Sequence, residues 1–341
     1  MAKIKVSTYI SSNFVKSFLT IFLPFFLIIS LVYLVKIAAL TSKIQITFAE
    51  LLKLFSYSVP DIVFYTLPLS FIAALANILI KLSQDNELIA LYALGLKAHK
   101  VLRSLVILAV LFSLLLVSIS FLAMPLSKQF YKSFKSDKKA EAKLNIVAGE
   151  LGQKFGEYYI YVKDKKENIL NDLVIYNRTD KNSEQFFAAQ TGQLNHNKAV
   201  SSLKLNDGYG YTYAPLKLQQ AKYKSLEIYD GVQKTPYSFV DIITHWSRAS
   251  TEPKIMHRIL FFVFVSLIPL LSIYLVASFT MINPRYQEDR SFFIMFIVSL
   301  SLYMIASALE KWGTPLLLML AIFATIVLGY TLFKIRVAKY F

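Results

Sequence analysis

Basic side chains at the ends of long apolar segments are the residues of this sequence best placed to bind a ligand. Lys36 stands between VYLV and IAAL, and a cation in such a run needs either an anion or access to the membrane interface. Other cations follow this run or precede a later one: Lys43, Lys254 and Arg258, next to His257. Each of these residues alone also fits a snorkelling or topology-determining role, so both interpretations stay open. Lys36 ranks first because snorkelling explains it least well. The competing explanation is an internal pair with Asp61, the nearest acidic residue that flanks a span on this side.

The motifs of common catalytic sites are missing from the sequence. It has no G-x-x-x-x-G-K-[ST] phosphate loop, no G-x-S-x-G elbow and no H-E-x-x-H helix. It contains no cysteine, and its four histidines lack the spacing of metal ligands. The sequence therefore predicts a protein that is not an enzyme and that uses neither a cofactor nor a metal.

A polar stretch, KLSQDNELIALYALGLKAHK, separates two long apolar runs at residues 81–100. It is too polar to span a bilayer and too apolar for a solvated loop. We predict a short helix at about 84–94. Ser83 or Asp85 can serve as its N-cap, and Gly95 suits its carboxyl-terminal stop.

The faces of this short helix suggest two alternative roles. Asp85 and Glu87 fall in its first turn, where the helix dipole favours anions. Leu88, Leu91 and Tyr92 can share one side, which leaves Glu87 on another azimuth and free to meet a partner. The alternative is an interfacial helix that only joins two spans.

The elements that position these residues are mostly membrane spans. The chain of 341 residues is 56% hydrophobic and only 17% charged, which excludes an ordinary soluble domain. A span needs about 18 or more apolar residues to cross a hydrocarbon core of about 30 Å. Six windows qualify or nearly qualify: 14–35, 60–80, 101–124, 259–282, 292–309 and 315–333. The first is too long for a signal peptide and predicts a retained anchor.

The cations in short segments predict the orientation of these spans. They cluster near the amino terminus, in residues 81–103 and in the carboxyl tail. By the positive-inside rule, both termini are expected in the cytoplasm. The net charge of +16 is spread over tails and the outer segment rather than gathered on one module, which favours contact with anionic lipid over nucleic acid.

The segment between the third and fourth spans has a different pattern. Short β-type runs such as EYYIYV, DLVIYN and SLEIYD are separated by turn clusters such as NRTDKNSE. They predict an antiparallel sandwich or jelly roll. We therefore expect an α-helical membrane protein with six transmembrane helices (3+3) and an inserted all-β, jelly-roll-like periplasmic domain. The expected boundaries are 1–124, 125–254 and 255–341.

Several stretches resemble a known family. The stretch LPLSFIAALANILIKLSQDNELIALYALGLKAHKVL resembles the second span and cytoplasmic helix of the lipopolysaccharide export permeases LptF and LptG. YISSNFVKSFL is similar to the family's start, and AMPLSKQFYKSFKSDKKAEAK to its exit from the third span. INPR, at Ile282 to Arg285, is more similar to LptF than to LptG. Tyr92 departs from the family, which often has a cation before Ala-x-Gly. The shared pattern is Leu82-Ser83, Asp85, Glu87-Leu88, Ala90 and Gly95.

The resemblance implies a permease subunit of an ABC transporter in the inner membrane of a Gram-negative bacterium. It implies three kinds of protein partner: a cytoplasmic ABC ATPase dimer, a second homologous permease subunit and periplasmic bridge proteins. The transported molecule would be lipopolysaccharide, and ATP would be hydrolysed in the ATPase rather than in this chain. No nucleic-acid partner is expected.

The resemblance also implies roles for the candidate residues. The ATPase is expected to dock on the short helix through Asp85, Glu87, Leu88, Leu91 and Tyr92. The phosphates of lipid A are expected to meet the cations Lys36, Lys43, Lys254 and Arg258. Two other functions stay open: a mechanotransmitting subunit that moves its outer domain without passing a substrate, and a scaffold for periplasmic partners.

Overall fold

The protein folds into two compact units, one helical and one built from a β-sheet. A computed structural model describes residues 2–41, 46–144, 146–155, 157–166, 169–180, 183–197, 200–214, 217–229, 238–281 and 291–339. The helical unit comprises Met1–Ala39, Phe48–Tyr131 and Val240–Phe341, and the β unit comprises Leu40–Thr47 and Lys132–Phe239.

The helices follow the apolar segments of the sequence. They are α1 (Ala2–Thr41), α2 (Phe48–Gln84), α3 (Glu87–Ala93), α4 (Ala98–Ser118), α5 (Met124–Leu144), α6 (Ile242–Ser247), α7 (Pro253–Thr280), α8 (Ser291–Trp312) and α9 (Pro315–Phe333). A π-helical turn, Ile119–Ala123, joins α4 to α5, and a second one, Lys334–Ala338, follows α9. A 3-10 turn, Arg248–Ser250, precedes α7.

Six helical segments of the described residues are long and apolar enough to cross a membrane. This confirms the predicted helical membrane class. The segments are Val6–Ala39, Phe48–Gln84, Ala98–Lys138, Pro253–Thr280, Phe293–Trp312 and Pro315–Ala338.

Two spans form the centre of the helical unit. The most apolar windows of α2 and α7 are 78% and 72% buried, whereas those of the other four spans are 11% to 28% buried. Aromatic contacts join the two central helices, since the rings of Phe64 and Phe262 lie 5.2 Å apart and nearly perpendicular. The outer spans therefore keep wide apolar faces that a bilayer can cover.

The β unit contains one antiparallel sheet whose six strands pair in sequence order. The strands are β1 (Gln153–Phe155), β2 (Tyr158–Lys166), β3 (Ile169–Asp180), β4 (Ser183–Asn197), β5 (Val200–Ala214) and β6 (Lys217–Tyr229). Alternate side chains form an apolar cluster that includes Val162, Leu173 and Leu205. The predicted inserted β domain is confirmed. Its described strands are connected as a meander, without the long Greek-key return that defines a jelly roll.

Candidate functional site

The short helix α3 exists close to its predicted position, but it begins differently. Its N-cap is Asn86, which adopts a left-handed conformation with φ of 60° and makes no side-chain capping bond. The prediction of Ser83 or Asp85 as the cap is wrong. The reason is that α2 continues to Gln84 and takes Ser83 into its last turn, where it is 1% exposed.

The end of α3 confirms the predicted glycine stop. Gly95 has φ of 78°, a left-handed conformation that glycine adopts without a Cβ clash. Its N–H donates to the carbonyl of Tyr92 at 2.8 Å, and the N–H of Leu96 donates to the carbonyl of Leu91 at 3.1 Å. This pair of bonds is a Schellman motif, which satisfies the last carbonyls of the helix.

The apolar side of α3 packs onto the helical unit. Leu88 is only 3% exposed, and Leu91 and Tyr92 are partly buried against the same core. Burial raises the pKa of the Tyr92 hydroxyl above its ordinary value. The predicted common side of these three residues is therefore an internal packing face. Exposed apolar surface is provided instead by Ile89 and Leu94, with exposures of 41% and 79%.

Glu87 has a partner within the chain. The hydroxyl of Tyr9, on α1, donates to Oε1 of Glu87 at 2.9 Å. Sequence reasoning placed Glu87 free for an external partner and missed Tyr9, because 78 positions separate the two residues and no local pattern connects them. The bond ties the start of α1 to the start of α3.

A cavity of about 200 Å³ lies among α1, α2 and α5. It contains the strongest lipid-binding candidate, Lys36. Aromatic rings and a carboxylate complete its wall, which consists of Tyr33, Lys36, Ile37, Tyr57, Ser58, Asp61, Lys128 and Tyr131.

The single carboxylate of this cavity is paired with Lys128. The Nζ atom of Lys128 lies 3.5 Å from Oδ1 of Asp61, whose side chain is 22% exposed. Sequence reasoning considered an internal pair between Lys36 and Asp61 and did not consider Lys128. Among the residues that the structure describes, Lys36 forms no ion pair, and its Nζ lies 5.7 Å from the centre of the Tyr33 ring.

The other predicted cations are placed differently from one another. Arg258, on the second turn of α7, does not line the cavity, but it lies within electrostatic range of Asp61, as Lys36 does. Lys254 is exposed in the first turn of α7 and does not line the cavity. Lys43 lies outside the described residues.

Six helices long and apolar enough to cross a membrane, together with an inserted antiparallel sheet, define the class of multi-pass helical membrane proteins with a β domain. A model of the family described as lipopolysaccharide export system permease LptF/LptG matches residues 8–335. The chain therefore belongs to the LptF/LptG family. A search of curated proteins found no significant match.

Membership has three direct consequences. The chain is a multi-pass protein of the inner membrane, a component of a lipopolysaccharide export system, and a permease component of that system. The family match does not separate LptF from LptG. The INPR motif lies outside the described residues, so the assignment to LptF stays a prediction.

Proposed function

We propose that this chain is the permease subunit of an ABC transporter that extracts lipopolysaccharide from the inner membrane and passes it to periplasmic bridge proteins. The family match over residues 8–335 carries the proposal. A cytoplasmic ATPase dimer supplies the energy and a second, homologous permease completes the membrane part. Both termini and α3 face the cytoplasm, an orientation that the cations of the short segments support.

The charge distribution around Lys36 supports lipid binding. Asp61 would repel a phosphate, but Lys128 offsets its charge. Lys36 then faces the cavity without a carboxylate of its own, and Arg258 adds a second cation nearby. A phosphate of lipid A can supply the anion that Lys36 lacks. The exposed apolar faces of the outer spans suit the acyl chains of lipid A.

The function is tested on the complex purified from its native membrane. A mass spectrum of the lipids that remain bound is expected to contain lipopolysaccharide, and ATP hydrolysis by the complex is expected to rise when lipopolysaccharide is added. Absence of an ATPase from the complex would favour a scaffold. An ATPase that copurifies but responds to no lipid would favour mechanotransmission.

One arrangement favours mechanotransmission as a second candidate function. The side-chain amide of Gln129, on α5, forms two hydrogen bonds of 2.9 Å with the backbone of Val240. The indole N–H of Trp246 donates at 3.0 Å to the carbonyl of Phe121, in the π-helical turn after α4. These bonds join α5 and the turn after α4 to the segment that precedes α7. A shift of α4 and α5 would therefore also displace that segment.

We further propose that the exposed side of α3 is the docking surface for the ATPase. Asp85, Ile89 and Leu94 are exposed there. Leu88, Leu91 and Tyr92 hold the helix on its own unit and transmit its movement rather than contacting the partner. Glu87 is half-buried and accepts from Tyr9, which leaves its second oxygen for a donor of the ATPase.

Glu87→Ala is expected to lower copurification of the ATPase about tenfold, since a hydrogen bond to a charged group contributes about 1.5 to 3 kcal/mol. Tyr9→Phe is the matched control, because it removes the internal bond and keeps the carboxylate. It should leave copurification within about twofold of the parent protein. Equal losses in both variants would mean that Glu87 acts only through α1, and unchanged copurification in Glu87→Ala would reduce α3 to a connecting helix.

A further inference from the structure

A second cavity, of about 390 Å³, lies between the first turns of α1 and the first turns of α4. It shares no residue with the cavity around Lys36. It also lies at the opposite end of α1, because Lys36 is close to the carboxyl end of that helix. The lining residues are Val6, Ser7, Thr8, Ile10, Leu96, Lys100, Arg103, Ser104 and Ile107.

The wall that α4 provides changes from charged to apolar along the helix. Lys100, Arg103, Ser104 and Ile107 follow the spacing i, i+3, i+4 and i+7, which places them on one face. At 1.5 Å per residue, Ile107 lies about 10 Å farther along the span than Lys100. A phospholipid in a leaflet has the same order, with its charged headgroup at the membrane surface and its acyl chains deeper in the leaflet.

The electrostatics of this cavity favour an anion. Its lining contains two cations and three hydroxyl-bearing residues but no carboxylate. Lys100 and Arg103 are both exposed, and neither forms an ion pair with any residue that the structure describes. Arginine and lysine at this spacing can hold one phosphate together, arginine through its planar fork and lysine as a point charge.

A hydrogen bond from α1 to α3 fixes the position of the cavity wall that α1 provides. Tyr9 lies between the lining residues Thr8 and Ile10, and its hydroxyl donates to Glu87 at 2.9 Å. Ile10 is 1% exposed and belongs to the apolar core. The cavity is therefore formed by the fold before any ligand enters it.

We propose that this cavity binds the phosphate of an anionic phospholipid. Lys100 and Arg103 contact the phosphate, and Ile107 contacts the start of the acyl chains. The apolar half of the lining favours a lipid over a free phosphate, which would leave that half without a partner. The inference goes beyond the export function and holds without it, since it uses only this cavity and a phospholipid of the surrounding leaflet.

The test uses the full chain in its complex, reconstituted into nanodiscs that contain phosphatidylglycerol and phosphatidylcholine in equal amounts. Native mass spectrometry after transfer to detergent counts the phospholipids that stay bound. We expect phosphatidylglycerol to be retained in preference to phosphatidylcholine. The double variant Lys100→Gln and Arg103→Gln should retain about tenfold less of it, because it loses two charged hydrogen-bond donors.

Two controls separate charge at this site from general effects. Lys97→Gln removes an exposed cation next to the cavity but outside its lining and should change nothing. The exchange Lys100→Arg with Arg103→Lys keeps both charges and should keep the lipid. If the double glutamine variant does not elute as a single species, each single variant is measured instead, with partial loss expected in both.

Three results would overturn the proposal. The first is equal retention of phosphatidylglycerol by the parent protein and the glutamine variants. The second is displacement of the lipid by an excess of inorganic phosphate, which would identify a site for free anions. The third is a glutamine variant that loses the copurifying ATPase but retains the lipid, which would identify this surface as a protein-docking face. Bound lipopolysaccharide is counted in the same spectra, so failure of the export function is seen separately.

Discussion

Lys36→Glu is expected to reduce crosslinking of lipopolysaccharide to neighbouring positions about tenfold or more. The substitution replaces the cation that faces the cavity by a carboxylate beside Asp61, and two carboxylates repel a phosphate. Lys36→Arg keeps the charge and adds donors, so it should retain most of the crosslinking. The measurement is photocrosslinking from an introduced probe at Tyr33, followed by detection of lipopolysaccharide on the chain.

Two further variants show whether the effect is specific to this cavity. Lys53→Glu reverses an exposed charge on α2 outside the cavity lining and should leave crosslinking unchanged. The double variant Lys36→Glu and Asp61→Lys should not restore crosslinking, because the partner of Asp61 is Lys128. If the double exchange restored the export activity that Lys36→Glu loses, and crosslinking was unchanged in Lys36→Glu alone, the lipid contact would be eliminated.

Lys128→Gln is expected to destabilise the helical unit by about 1 to 3 kcal/mol, because it leaves the carboxylate of Asp61 without its charged partner. Asp61→Asn should cost less, since Lys128 is 42% exposed and can turn toward solvent. The combination of both substitutions should cost less than the sum of the single effects. The thermal unfolding of the detergent-solubilised protein measures all three.

The control for this cycle is Lys132→Gln, one turn farther along α5. Lys132 is exposed and does not line the cavity, so its loss should shift the unfolding temperature very little. Strict additivity of Lys128→Gln and Asp61→Asn would show that the two side chains do not stabilise each other. In that case Lys36 would again be a candidate partner for Asp61.

Features that depend on residues close to one another in the sequence could be predicted from the sequence alone. The six spans follow from the length and hydropathy of the apolar runs, because the bilayer sets a minimum length. Gly95 was predictable as the stop of α3, because a left-handed residue after a helix selects glycine. The shared side of Leu88 and Leu91 follows from helical spacing alone. The inserted β unit follows from short β-type runs between turn clusters.

The tertiary structure alone decided which distant residues meet. The sequence contains many cations that could neutralise Asp61, and only the packing of α5 against α2 selects Lys128. Tyr9 reaches Glu87 because the fold brings the start of α1 to the start of α3, although 78 positions separate the two residues. The cap of α3 was mispredicted because α2 extends farther than its apolar pattern indicates. Helical spacing and turn conformation are local, whereas the choice of a charge partner depends on which helices pack together.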